Sequence, residues 1–224
     1  MRSFALICVY LRPLLRGWRY HKYLESVTLA GSHAKGTDLK DSDVDIFLRL
    51  SPDTPGPLSA MQASLGDHVH GNIRNVSVRI MFEGRFIDLV PARRSFTCDV
   101  LWQARFNTWL KTDIPEQIRY VRNSGLIDEI LALKIWRRRH ALRFPSFLME
   151  LATIHALKPG RPITESFPAL LRFLATDFPT PRLLDPANSN NVVSDLLTEV
   201  EKLRIARRAE MSLGVPFSKP PDHP

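Results

Sequence analysis

Gly31–Phe47 reads GSHAKGTDLKDSDVDIF, and the placement of its charges decides what the chain can fold into. Asp43 and Asp45 flank Val44 at the head of the apolar run DVDIFLRL, residues 43–50. Aspartate is depleted in strands because its side chain competes for backbone hydrogen bonds. Side chains alternate along a strand, so Asp43 and Asp45 share one face while Val44 and Ile46 share the other. The apolar face belongs to a core. The opposite face brings two carboxylates together, and their repulsion demands a counter-charge. A third aspartate, Asp88, interrupts RFIDLVPA at 85–92, again with Ile87 and Leu89 on the far face. A carboxylate inside an apolar strand is costly unless it is paired or bound to metal.

Taken singly, each aspartate has an ordinary explanation: Asp43 caps a turn, Asp45 pairs with Arg49, and Asp88 pairs with Arg85 or Arg93. Taken together on neighbouring strands, the three suit Mg²⁺, a hard cation that prefers oxygen ligands. Two such ions can serve the attacking and leaving oxygens of a phosphoryl displacement. The preceding turn supplies a complementary feature. ESVTLAGS, residues 25–32, reads as a strand running into a tight turn, where Gly31 and Gly36 allow close backbone approach and Ser32 offers a hydroxyl. A helix beginning just after Gly31 would direct free N–H groups at a phosphate.

Working outward, Phe4–Tyr23 predicts a helix with a kink at Pro13, and Leu58–His70 a second helix after the breaker-rich SPDTPGP. NVSVRIMFEGRFIDLVPA, residues 75–92, predicts two alternating strands joined at Glu83-Gly84. From about Asp99 the texture becomes helical, punctuated by Pro115, Pro145, Pro162, Pro168 and Pro186. The expected fold is α+β, a sheet lobe over 1–105 followed by a helical lobe over 106–212, with a disordered tail at 213–224. The cleft between the lobes is the expected ligand site.

The composition excludes several classes. Two cysteines among 224 residues fit neither a disulfide framework nor a metal motif, which favours a reducing cytoplasm. None of the seven histidines has zinc spacing. FALICVYL, residues 4–11, is too short to span a bilayer and is followed by arginines rather than a small-residue cleavage site, so no membrane association is expected. The net charge of +8 favours an anionic partner, nucleic acid or polyphosphate.

GSHAKGTDLKDSDVDIF together with FIDLVPA resembles the core of the polymerase-β-type nucleotidyltransferases. The resemblance extends to the branch of 2′-5′-oligoadenylate synthetases, bacterial cyclic-oligonucleotide synthases (CD-NTases) and archaeal CCA-adding enzymes. It runs through NTWLKTDIPEQIRYV at 107–121, similar to a connecting helix between lobes, and IDEILALKIWRRRHALRFPSFLMELATIHAL at 127–157. It ends in DPANSNNVVSDL at 185–196, similar to a C-terminal signature in which Asp185 and Asn191 tie the lobes together. The resemblance implies that Asp43, Asp45 and Asp88 carry two Mg²⁺ ions, with Mn²⁺ as a substitute. It also implies that Gly31 and Ser32 bind the terminal phosphates of a nucleoside triphosphate, contacted as well by Lys134 and Ser146.

Residue chemistry points the same way for the last two. Lys134 shares a helix face with Ile130 and Leu131, where it needs an anion or must snorkel. Ser146 follows Pro145 at what reads as a helix start. The implied reaction transfers a nucleoside monophosphate to a hydroxyl and releases pyrophosphate. A nucleotide acceptor would yield a cyclic or linear oligonucleotide signal of the kind used in anti-phage defence. The alternatives are an RNA or tRNA 3′ end, a protein or small molecule, and a non-catalytic module that binds nucleotide or RNA. An RNA or protein activator is a further implied partner. His33, Lys35, the Arg137–Arg139 run and Trp102, Trp109 and Trp136 are weaker candidates for phosphate, nucleic acid or base contacts, each with a solvated or core alternative.

Overall fold

The computed structural model describes residues 4–214, which form two compact units. The first comprises residues 4–120 with Pro186–Asn188, and the second comprises Val121–Asp185 with residues 189–214. The tail at 215–224 lies outside the described residues. The fold is α+β, as expected.

The first unit opens with α1 (Phe4–Arg16), which contains Pro13 and ends well before the expected Tyr23. Then follow β1 (Leu24–Leu29), the five-residue α2 (Gly31–Lys35), β2 (Val44–Leu50), α3 (Leu58–Val69) and β3 (Asn72–Ile73). β4 (Val78–Phe82) and β5 (Arg85–Arg94) form the expected hairpin, with Glu83 and Gly84 both at positive φ in its two-residue turn. The sheet order is β1-β2-β5-β4-β3, with β2 antiparallel to β1 and parallel to β5.

The alternation read from the sequence is realised. Ile46, Leu48 and Leu50 of β2 join Ile87 and Leu89 of β5 against Leu11 and Leu15 of α1 and Met61 and Leu65 of α3. Trp18 Nε1 donates to Ser64 Oγ at 3.2 Å, which pins the end of α1 to α3. On the opposite face, Phe47, Val90 and Ala92 form a smaller core with Ala30 and Leu101. That second face carries Asp45 and Asp88.

Two expectations are corrected. The segment after Asp99 continues the sheet as β6 (Asp99–Gln103), on the distal half of β5, and β7 (Thr108–Thr112), before α4 (Ile114–Arg122) begins. NTWLKTDIPEQIRYV is therefore a strand and a helix, and the unit boundary falls at Tyr120/Val121. Trp102 and Trp109 are directly opposed across β6 and β7, a cross-strand aromatic pair rather than helix core.

The second unit contains α5 (Ile127–Arg139), α6 (Ser146–Ala156), α7 (Ile163–Thr176), the strand β8 (Leu184–Asp185), β9 (Asn188–Val192) from Ser189 onward, and α8 (Glu199–Leu213). Leu133, Leu148, Met149, Leu170, Leu174, Phe178 and Ile205 fill its core. Polar ties cross that core at fixed points: Ser166 Oγ to Glu129 at 2.9 Å, and Trp136 Nε1 to Ser212 at 3.0 Å. Thr198 and Glu201 form a capping box at the start of α8.

Candidate active site

The three aspartates meet on one face of the first unit's sheet. In the parallel β2–β5 pair, Asp45 lies directly opposite Asp88, and in the β4–β5 hairpin Asp88 lies directly opposite Arg79. Arg79, Asp88 and Asp45 thus form a row across three adjacent strands. Asp43, just before β2, completes the group from the preceding loop.

That loop is braced. His33 Nδ1 lies 3.2 Å from Asp38 Oδ2, and its Nε2 lies 3.3 Å from the Ser42 carbonyl oxygen. The Leu39 N–H donates to Ser42 Oγ at 2.9 Å. His33, a candidate phosphate contact in the sequence, is in this structure a brace for the loop that presents Asp43.

The turn before α2 approaches the carboxylates as closely as its glycine allows. Gly31 has φ +58°, and a Cβ built on it would lie 1.7 Å from Asp45 Oδ2. The Ala30 N–H donates to the Asp45 carbonyl at 2.8 Å, which holds turn and strand together. Only glycine satisfies both the left-handed backbone and the contact. Ser32 sits in the first turn of α2, where backbone N–H groups lack intrahelical partners.

The charges are unevenly neutralised. Arg79 Nε donates to Asp88 Oδ1 at 3.0 Å and its NH2 to Asp88 Oδ2 at 2.6 Å. The same NH2 also bonds Asp43 Oδ2. The two carboxylates raise the Arg79 pKa further above its ordinary value. Asp45 is left as the least compensated of the three. Burial, then Asp88 and Asp43, push its pKa up to about 6 against the opposing pull of Lys35 and Arg79.

Two of the ordinary partners considered for these residues, Arg49 and Arg93, are engaged elsewhere. Arg49 makes a bidentate pair with buried Asp99, at 2.9 and 2.6 Å. Arg93 NH1 donates to the Thr54 and Gly56 carbonyls at 3.3 and 3.1 Å. Arg79 was not singled out in the sequence. Its signal was the hairpin register: counting back from Glu83-Gly84 places residue 79 opposite residue 88.

The donor set fits a hard divalent cation, since three carboxylates converge and two already direct oxygens at one positively charged nitrogen. As placed, with that guanidinium among them, no three His, Cys, Asp or Glu residues among those described close around a metal-sized point. A cavity of about 320 Å³ in this unit is lined by Phe4, Leu29, Val44, Phe82 and Ile87, and none of the three aspartates lines it.

In the second unit, Lys134 is 2 % exposed, and its Nζ lies 3.0 Å from Oε1 of equally buried Glu150. The anion that a buried lysine requires is therefore supplied by the protein, one helix away. Ser146 is the exposed first residue of α6. Asn191 Nδ2 donates to Asp185 Oδ2 at 3.1 Å, a link within this unit. Arg137–Arg139 close α5, where cations complement the helix dipole. Trp136 is core.

Residues 14–135 match the family model described as a nucleotidyltransferase domain. The chain belongs to the nucleotidyltransferase family. No curated protein sequence matches this nucleotidyltransferase. Its fold is shared with solved structures that include a CD-NTase and a cyclic dinucleotide synthase. One is CdnC of Escherichia coli MS115-1 in complex with HORMA-deltaN, 21% identical, with TM-score 0.71 over 94% of this chain and 82% of that one. Another is the Bradyrhizobium diazoefficiens CD-NTase CdnG in complex with GTP, 11% identical, with TM-score 0.76 and coverage of 94% and 84%. A third is the Elizabethkingia meningoseptica CdnE cyclic dinucleotide synthase with GTP and Apcpp, 14% identical, with TM-score 0.66 and coverage of 94% and 92%.

Proposed function

We propose that this nucleotidyltransferase joins nucleotides to one another, producing a cyclic or linear oligonucleotide signal with a role in anti-phage defence. The observation that carries the reading is the in-register pair Asp45 and Asp88, with Asp43 beside them and the Gly31 turn against Asp45. Held by Asp43, Asp45 and Asp88, two Mg²⁺ ions, or Mn²⁺, would supply Lewis-acid polarisation and a more acidic acceptor hydroxyl.

The protein's own contribution begins with binding. N–H groups and the Ser32 hydroxyl at the Gly31-Ser32 turn receive the anionic tail of the triphosphate. On the resemblance of residues 127–157, Ser146 is proposed as a further triphosphate contact, whereas Lys134, implied by the same resemblance, is already held by Glu150. The acceptor oxygen bonds to the α-phosphorus as the bond from that phosphorus to the pyrophosphate oxygen breaks. Asp88, once released by Arg79, is proposed to help take the acceptor's proton. No covalent enzyme intermediate forms.

A nucleotide acceptor is supported by the likeness to one fold solved with GTP and Apcpp and another solved with GTP. The net charge of +8 favours the second reading, transfer to an RNA 3′ end. An RNA or protein activator is compatible with either.

The experiment is incubation with all four radiolabelled ribonucleoside triphosphates and Mg²⁺ or Mn²⁺, phosphatase treatment, and chromatography, with Asp43→Ala/Asp45→Ala as control. A phosphatase-resistant product made by the wild type alone supports oligonucleotide synthesis. Product that forms only when tRNA is added moves the assignment to RNA-end transfer.

A further inference from the structure

Arg79 does more than fill a gap in the sheet. Its guanidinium grips both oxygens of Asp88, reaches Asp43 with one nitrogen, and lies 4.8 Å from the ring centroid of Phe86 on the same sheet face. A cation shared by the three aspartates would need the same oxygens of Asp43 and Asp88 that Arg79 NH2 now occupies. Arginine cannot lose its charge at any accessible pH, so two cations cannot share these oxygens without strong repulsion. One must leave.

We propose that Arg79 is a built-in counter-cation of the carboxylate group, and that it competes with the divalent metal for Asp43 and Asp88. In the metal-free protein it offsets the repulsion of the three aspartates and keeps Asp43 and Asp88 aligned. Its displacement weakens the binding of metal alone, so the site fills at a higher metal concentration than three bare carboxylates would require. Phe86, half-exposed beside it, gives the displaced guanidinium an aromatic face to rest on. Arg79 is thus a positioning residue that sets metal affinity. The inference rests on the reading that the aspartates hold metal.

The test is a Mn²⁺ titration of the full chain without nucleotide, followed by electron paramagnetic resonance. It compares the wild type, Arg79→Gln, Arg79→Lys and the Asp43→Asn/Asp45→Asn double variant, with folding checked by circular dichroism. Arg79→Gln should bind Mn²⁺ about tenfold more tightly than the wild type, the net gain expected when the guanidinium's contacts to Asp43 and Asp88 are lost, with Arg79→Lys between them. In EDTA, Arg79→Gln should melt below the wild type, and added Mn²⁺ should raise its melting temperature by more. Unchanged or weaker Mn²⁺ binding by Arg79→Gln would overturn the competition while leaving the metal reading in place. Wild-type binding no better than that of the double variant would overturn the metal reading itself.

Discussion

Replacing Gly31 with alanine isolates the closest contact in the site. Gly31→Ala places a Cβ 1.7 Å from Asp45 Oδ2, 2.5 Å from its Cγ and 2.9 Å from its Cβ, so the whole carboxylate must move rather than its tip. The backbone adds a second cost, because φ +58° is a left-handed conformation that disfavours a side chain by roughly 1–2 kcal/mol. Overpacking of this kind costs about 1–3 kcal/mol. The total is about 2–5 kcal/mol.

Gly36 is the matched control. It has φ +77°, and an added Cβ would meet nothing within 4 Å. Gly36→Ala should therefore lose only the backbone share, roughly 1–2 kcal/mol. For a chain of this length each kcal/mol shifts the melting temperature by about 2–4 °C. Scanning calorimetry should then show Gly31→Ala melting several degrees below Gly36→Ala. Mn²⁺ binding should be lost in the first and kept in the second, because a displacement of about 1 Å at such a site is severe. If the two variants melt together and bind Mn²⁺ equally, Asp45 does not lie against the turn, and the geometry of the site is wrong.

Three further outcomes follow from particular contacts. Asp45 binds its proton more tightly in the folded protein, at about 6 against an ordinary 3.8, so its stabilising protonation is complete below pH 3.8 and is lost as pH rises through 6. In EDTA at pH 8, Asp45→Asn should therefore stabilise the protein by up to about 3 kcal/mol, with the gain vanishing toward pH 4 in urea titrations at each pH. Lys134→Met should destabilise the second unit by about 3–5 kcal/mol in urea denaturation, because buried Glu150 would lose its ammonium counter-charge. The double variant Lys134→Met/Glu150→Leu should recover most of that loss. Thr198→Ala should remove the capping box and cost about 1 kcal/mol, read from the same denaturation curves.

The carboxylate face was legible in the sequence because local rules coincide there. Strand alternation put Asp43 and Asp45 opposite the apolar residues of β2, and the Glu83-Gly84 turn defined the hairpin that carries Asp88. Non-local pairing was harder to read. β2 and β5 are parallel and far apart in sequence, so the opposition of Asp45 and Asp88 comes from tertiary packing rather than from any turn. Glu150 as the partner of Lys134 lies on a different helix, and no spacing rule joins them. β6 and β7 lie where the texture of the sequence predicts helix, and their pairing is set by the turn at residues 104–107. Asn107, at φ 50° in the intervening turn, marked the hairpin. Arg79 follows from the hairpin register, which sets it opposite Asp88, whereas Arg85 and Arg93 share Asp88's own strand.

The most direct test of the central claim is the stoichiometry of the reaction. The purified protein is incubated with nucleoside triphosphates and Mg²⁺ or Mn²⁺, together with tRNA where an acceptor is needed, and released pyrophosphate is measured against phosphodiester product. The account predicts one pyrophosphate per bond formed, abolished separately by Asp43→Asn, Asp45→Asn and Asp88→Asn. Release of orthophosphate instead, or turnover that survives loss of any one of the three aspartates, would contradict it.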